Sequence, residues 1–317
     1  MTATARRRAR ICRDRYLSGF GGDLDITVVG HIARDVVLGI DAVPGPRGST
    51  EVRERRELLG GKGANQAVAC AQLGASVALL GVVGDDEVGT RLLAQARADR
   101  VDVACAVRRP GARTALIVNV VEAGGDWRYF EDLAGADLTA ADIENARGTL
   151  LAATSVLVQL QQPAARVAAT LAHAAGRRVV LDGVPPADDR ADLLAAADVL
   201  RADAHEGGLI TGVELTTVEA ATGAARELLR EGPSLVALGV DGEGDVVAWS
   251  DGEVFLPFSG DPVADTTGAG DAFTAAFTVT LTVTLTRGGS PEEAARAAAA
   301  AAGSTVRRLG GRPALGP

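Results

Sequence analysis

The chain has 317 residues, 47% of them hydrophobic and only 3% aromatic, so it can fill one large α/β domain whose core must be built from Ala, Val and Leu. A formal net charge of −9 and a pI near 5.0 exclude a general nucleic-acid binder. Three scattered cysteines (Cys12, Cys70, Cys105) and three histidines without metal-ligand spacing exclude a disulfide framework and a zinc site, and fit a reduced, cytoplasmic protein.

Residues 1–22 carry six arginines and no apolar run. They read as a disordered basic arm and not as a secretory signal. The folded part, 23–317, opens with the buried-strand pattern Ile26–Gly30, followed by a strand at Val36–Ile40 and an exposed one at Glu51–Leu59. The glycine run Gly60-Gly61-Lys62-Gly63 then opens a helix that Gly74 stops. Lys62 is the single lysine among 32 basic residues. A tight glycine pocket admits a compact ammonium where the broad arginine fork does not fit.

Val77–Val83 reads as one buried strand, with a helix after it to about Ala98. Thr114–Val121 and Trp127–Phe130 flank Ala123-Gly124-Gly125-Asp126, a hairpin signal. Strands and helices then alternate: strands at 156–160, 178–182, 199–200 and 235–239, helices at 164–175, 189–197 and 217–230. Such alternation implies a parallel sheet with helices on both faces. A second hairpin flanks Ser250-Asp251-Gly252. The run TVTLTVTLT at 278–286 has a strand period of two, yet it follows a helix start. The stretch 294–302 is a strong helix former. No apolar run is long enough to span a membrane as a helix.

The chemistry concentrates at Asp265-Thr266-Thr267-Gly268-Ala269-Gly270-Asp271. This segment reads as a strand end, a glycine turn and a helix start. The N–H groups of Gly268, Ala269 and Gly270 would lie free at the first helical turn, where they and the helix dipole attract an anion such as phosphate. Asp271 would repel that anion as a ligand but suits a base that takes a proton from an attacking hydroxyl. No Lys-Ser or Lys-Thr follows the glycines, so this is not a Walker A loop, and Phe273 rules out a dinucleotide fingerprint.

The two glycine signatures, GGKGANQ at 60–66 and DTTGAGD at 265–271, together resemble the PfkB carbohydrate kinase family, its ribokinase branch most closely, over about Ile26 to Pro313. The resemblance implies a ribokinase-like three-layer αβα sandwich with a small β-sheet lid formed by strands at about 36–58 and 114–131. It implies a phosphotransferase that uses ATP with Mg²⁺ and a monovalent cation, K⁺, on a sugar hydroxymethyl group, D-ribose first. Another furanose, a ketose or a nucleoside is the alternative, and a catalytically weak sugar-binding protein is the alternative of a different class.

On this resemblance Gly268, Ala269 and Gly270 form the anion hole and Asp271 is the base. Asp35, Gly61, Lys62, Asn65 and Gln161 hold the sugar. Asp203 and Glu206, from the family's N-x-x-E motif, serve the Mg²⁺–ATP side, and Gly239, Gly242 and Gly270 the ATP loop. Asp265, Thr267, Thr305, Arg308 and Gly310 surround the monovalent cation. The chain departs from the family at Ala33, Gln161, Asp203 and Ala314, where ribokinases carry Asn, Glu, Asn and Ser. A homodimer through the lid edges is expected from their unpaired strands.

Overall fold

The computed structural model describes residues 24–124, 126–258, 263, 265–284, 289–308 and 310–315; the basic arm of residues 1–22 lies outside them. The main sheet is built from β1 (Ile26–Val29), β4 (Val77–Leu80), β6 (Val101–Asp102), β10 (Ser155–Gln159), β11 (Arg178–Asp182), β12 (Val199–Ala202), β13 (Leu235–Val240), β14 (Gly244–Trp249) and β15 (Gly252–Pro257). These nine strands lie in the order β15-β14-β13-β12-β11-β10-β1-β4-β6. All are parallel except the β14–β15 hairpin, which closes one edge antiparallel to β13.

The side-chain period of two sorts this sheet into two cores. Ile26, Val28, Leu157, Val180 and Val199 face one side. There they meet α1 (Lys62–Gln72), α2 (Glu87–Ala98), α9 (Ala269–Thr284) and α10 (Pro291–Thr305). Val29, Val156, Val158, Val179, Leu181 and Leu200 face the other. They pack on α3 (Ala140–Asn145), α4 (Arg147–Ala152), α5 (Ala165–Ala174), α6 (Arg190–Ala196), α7 (Ala204–Thr211) and α8 (Val218–Leu229). This is the expected three-layer sandwich. Small residues on α1, α5, α8 and α10 let helices lie close on the sheet, and Phe273 and Phe277 supply the largest fully buried side chains.

The lid is a separate sheet of β2 (Ala33–Ile40), β3 (Val52–Gly60), β8 (Ala115–Glu122) and β9 (Trp127–Asp132). Its four strands lie in the order β3-β2-β8-β9. Asp86 anchors it to the body: it caps α2 by accepting from Gly89 N at 2.7 Å, and it also accepts from Thr114 N at 2.8 Å at the foot of β8.

Two readings of the sequence need correction, and the threonine run, open between strand and helix, is decided. Val77–Val83 is two strands, because the chain leaves the main sheet at Gly81; β5 (Val82–Gly84) pairs instead with β7 (Val107–Arg109). No strand runs into the glycine turn at the described residues Val263 and Asp265; Pro262 and Ala264 lie outside them. The threonine run is helical as far as Thr284, while residues 285–286 lie outside the description. A period of two contains a period of four. Thr274, Thr278 and Thr282 stack on one buried face, and each hydroxyl donates to the carbonyl four residues earlier, at 2.9, 2.7 and 2.6 Å. That bond removes the cost of burying a hydroxyl and permits a helix where propensity disfavours one.

Phe273 and Phe277 lie beside this threonine face, with ring centroids 5.9 Å apart. Phe277→Ala should cost about 3–5 kcal/mol in urea unfolding. A loss below about 1 kcal/mol would contradict the helical packing described.

Candidate active site

In the parallel sheet the chain runs from β1 outward to β4 on one side and returns to pair β10 on the other. Ligands of such sheets bind beyond the strand C-termini at this switch. A cavity of about 530 Å³ lies there, between the ends of β1, β10 and β12, the lid, and the first turn of α9. Strand alternation aims one lid face into it: Asp35 and Val37 from β2, Ile117 and Asn119 from β8, and Trp127, Tyr129 and Glu131 from β9.

Asp271 stands at the cavity floor, buried in the first turn of α9. Its carboxylate accepts from Asn65 Nδ2 at 3.0 Å and Gln66 Nε2 at 3.2 Å, both on α1. The same Gln66 amide donates to Asp182. Burial pushes the Asp271 carboxyl up to about 7, with Lys62 opposing and Asp182 assisting. Asp35 is pushed to about 7 as well, by burial and then by the Asp271 charge.

The glycine turn is shaped as a hole, with one change from expectation. Gly268 has φ +75°, and a Cβ there would collide with the carbonyl oxygen of Gly311, so only glycine fits. The Ala269 N–H is not free: it closes the turn on Thr266 O at 3.3 Å. Gly268 and Gly270 carry no such bond among the described residues. Of the three predicted N–H groups, these two are left without a backbone partner among the described residues.

Gly61 precedes α1 with φ +85° and leaves no room for a Cβ against the backbone of His31 and Ala33. This close approach puts Lys62 over the cavity, where Nζ donates to Glu206 Oε1 at 3.1 Å. Burial favours the neutral amine, but Asp182, Glu206 and Asp271 outweigh it and hold Lys62 charged. Glu206 and Asp203 form a capping box at the start of α7, with Asp203 Oδ1 accepting from Glu206 N at 2.8 Å. Burial disfavours the Glu206 anion, yet Lys62 and Arg201 hold its carboxyl below the ordinary value. Gln161 lines the cavity, with Nε2 3.5 Å from Glu206 Oε1.

Gly239, near the end of β13, and Gly242, in the β13–β14 turn, lie outside this cavity. Gly239 packs on the start of α7, where a Cβ would lie 2.7 Å from Ala204 N. Of the remaining predicted group, Thr267 and Gly310 meet Asp265. Its carboxylate accepts from Thr267 N at 2.9 Å and Gly310 N at 2.8 Å, and its N–H donates to Val306 O. Thr305 ends α10 beside this junction, and Arg308 is exposed.

Several cavity residues escaped the sequence reading. Arg201, buried at the end of β12, lies against Gly270. Gln159 fixes His31, accepting from its N–H at 2.7 Å and meeting Nδ1 at 3.0 Å. His31 is thus a buried lining residue, its imidazolium disfavoured by burial. Asn119 and Tyr129 reach from the lid to Thr267 Oγ1 at 3.1 and 2.9 Å. Asn119 and Arg201 had a visible signal, each a polar residue inside an apolar strand.

Residues 23–315 match the pfkB family of carbohydrate kinases. The chain belongs to that family. It is 32% identical over 292 residues to the ribokinase of Bacillus subtilis, covering 90% of this chain and 94% of that one. It is 27% identical over 253 residues to a bifunctional ribokinase/ribose-5-phosphate isomerase A of Fructilactobacillus sanfranciscensis, covering 78% of this chain and 47% of that longer protein. The Arabidopsis thaliana ribokinase complexed with ribose and ATP superposes with a TM-score of 0.76 at 26% identity, over 93% of this chain and 97% of that one. The protein is thus a ribokinase-like sugar kinase. No helix among the described residues is long and apolar enough to cross a membrane.

The raised carboxyls make a stability prediction. Folded Asp271 keeps its proton to about 7, whereas an ordinary aspartate releases it near 3.8. Between these values the folded state binds more protons than the unfolded one, so this group's contribution to stability falls as pH rises. Asp271→Asn should therefore melt at least as high as the wild type at pH 8, with the advantage shrinking by pH 5. Differential scanning calorimetry reads this, and a variant that melts lower at pH 8 than at pH 5, relative to wild type, would refute it.

Proposed function

We propose that this kinase transfers the γ-phosphoryl group of ATP to the hydroxymethyl group of a furanose, with D-ribose as the leading acceptor. The observation that carries the reading is one buried carboxylate, Asp271, held by Asn65 and Gln66 beside the open N–H groups of Gly268 and Gly270. With its carboxyl near 7, Asp271 is matched to accept a hydroxyl proton at neutral pH. The two N–H groups face the position where negative charge gathers on the transferring phosphoryl oxygens. Asp35, Gly61, Lys62, Asn65 and Gln161 line the cavity and would hold the sugar hydroxyls. The lid excludes water, which would otherwise accept the phosphoryl group.

Asp203, Glu206, Gly239 and Gly242 would serve ATP. A Mg²⁺ carried by the phosphates would keep several of its waters. Asp203 and Glu206 would hold those waters, and the ion would neutralise phosphate charge. For K⁺, the bonds that Asp265 accepts from Thr267 N and Gly310 N support a site that would take in Thr305 and Arg308 and tie the glycine turn to the C-terminal segment. A homodimer through the lid is supported by β9, an edge strand that exposes Trp127, Tyr129 and Phe130. A second acceptor class has one observation in its favour. Trp127 and Tyr129, rings 4.5 Å apart, face the cavity and could stack on a nucleoside base.

The test is ADP release from Mg²⁺–ATP with D-ribose, 2-deoxyribose, fructose, adenosine and pseudouridine. D-ribose should give the highest kcat/KM, and more so in K⁺ than in Na⁺. Asp271→Asn should lower kcat at least about 10³-fold, a barrier of about 4 kcal/mol. Turnover of that variant within about tenfold of wild type would remove Asp271 from the role of base. A preference for a nucleoside would move the acceptor to the second class.

A further inference from the structure

Arg201 has no part in the chemistry described above. It lies one residue before the end of β12, on the α9 side of the sheet, and is 7% exposed. A buried guanidinium has five donors to satisfy, yet it donates no hydrogen bond among the described residues, and Nε is buried without a partner. Its nearest carboxylates stand off: Asp182 Oδ1 at 3.5 Å and Glu206 Oε2 at 3.9 Å from Nη1. These charges, with Asp245 and Asp203, outweigh burial and keep it cationic. Its plane lies 6.0 Å from the Phe273 ring centroid, which limits its movement.

Its position relative to the glycine turn gives it a use. A Cβ on Gly270 would sit 2.7 Å from Nη2 and 2.8 Å from Nη1. The absence of a side chain at 270 is what lets the guanidinium lie against the first turn of α9. Arg201 and the open N–H groups of Gly268 and Gly270 line one cavity. A purely structural arginine would spend its donors on Asp182, whose Oδ1 is itself left without a hydrogen bond.

We propose that Arg201 is a catalytic residue that grips the transferring phosphoryl group, its Nη donors completing the anion hole that Gly268 and Gly270 begin. The inference rests on the phosphoryl-transfer reading above. An arginine supplied within the chain stabilises the charge on the phosphoryl oxygens as the bond from phosphorus to the ADP oxygen breaks and the bond to the sugar oxygen forms, the hydroxyl proton passing to Asp271. Lys62, paired with Glu206, would guard the acceptor side, and Arg201 the donor side.

Arg201→Lys keeps the charge and loses the fork; it should lower kcat about 10³-fold, with KM for the sugar and Kd for MgADP within about twofold of wild type. Because an unpaired Asp182 could unfold the chain, Asp182→Asn/Arg201→Met is made alongside as a neutral pair and compared with Asp182→Asn alone. The double variant should lose about a further 10³-fold in kcat. Inorganic phosphate, titrated calorimetrically into wild type and Arg201→Lys without nucleotide, reads the contact independently of turnover, and the variant should bind at least about tenfold more weakly. Equal phosphate affinity, or a double variant as active as Asp182→Asn alone, would overturn the proposal. If the wild type binds phosphate through Arg201 but phosphorylates no acceptor, the kinase reading fails while the anion contact stands.

Discussion

The site depends on a balance of buried charge. Asp35, Asp182, Glu206 and Asp271 are carboxylates nearly closed off from water, and Lys62 and Arg201 are the cations set among them. Ions are costly to bury unless paired, so each group is tuned by the rest. Lys62 and Arg201 are held charged, Glu206 is held ionised, and Asp35 and Asp271 are pushed toward neutrality. Burial first, and then neighbouring negative charge, raises the Asp35 and Asp271 carboxyls to about 7. A polyanionic donor entering such a site must meet cations and N–H groups first, which is where Arg201, Gly268 and Gly270 stand.

The rest of the fold serves to hold that balance still. The parallel sheet delivers Asp182, Arg201 and Gln159 from three strand ends. Helix α1 contributes Lys62, Asn65 and Gln66 from its N-terminal turns, because the Gly61 turn lets it start hard against the end of β1. Helix α9 contributes Asp271 and is fixed by Phe273, Phe277 and the back-bonded threonines. The lid is coupled to the same turn: Asn119 and Tyr129 bond the Thr267 hydroxyl, while the Thr267 N–H bonds Asp265. Through Gly310, Asp265 passes that constraint to the C-terminal segment. Lid, glycine turn and C-terminal segment therefore share one short chain of hydrogen bonds, and a cation bound beside Asp265 would act on all three.

Much of this was legible in the chain itself. The strand–helix alternation specified the sheet, and two glycine motifs about 200 residues apart marked the site, because glycine is needed where backbone must approach backbone. What stayed hidden depends on register in three dimensions. The threonine run from Thr278 stayed open between strand and helix because alternation cannot distinguish period two from a stack at period four. The Ala269 N–H looked free because a turn closing on Thr266 leaves no sequence mark. Val77–Val83 looked continuous because Gly81 breaks it only by contact with a distant strand. Gln66 and Arg201 were passed over because their roles come from partners distant in sequence.

The proposed mechanism turns on the carboxyl at position 271, which burial raises to about 7 and whose ionised form would take the hydroxyl proton at neutral pH. The most direct measurement is a ¹³C-carboxyl NMR titration of aspartate-labelled protein, with Asp271→Asn used to assign the resonance. The Asp271 signal should titrate near pH 7 in the free enzyme, and the Asp35 signal should respond when Asp271 is replaced. An Asp271 carboxyl that titrates as an ordinary aspartate, independently of Asp35, would contradict the claim.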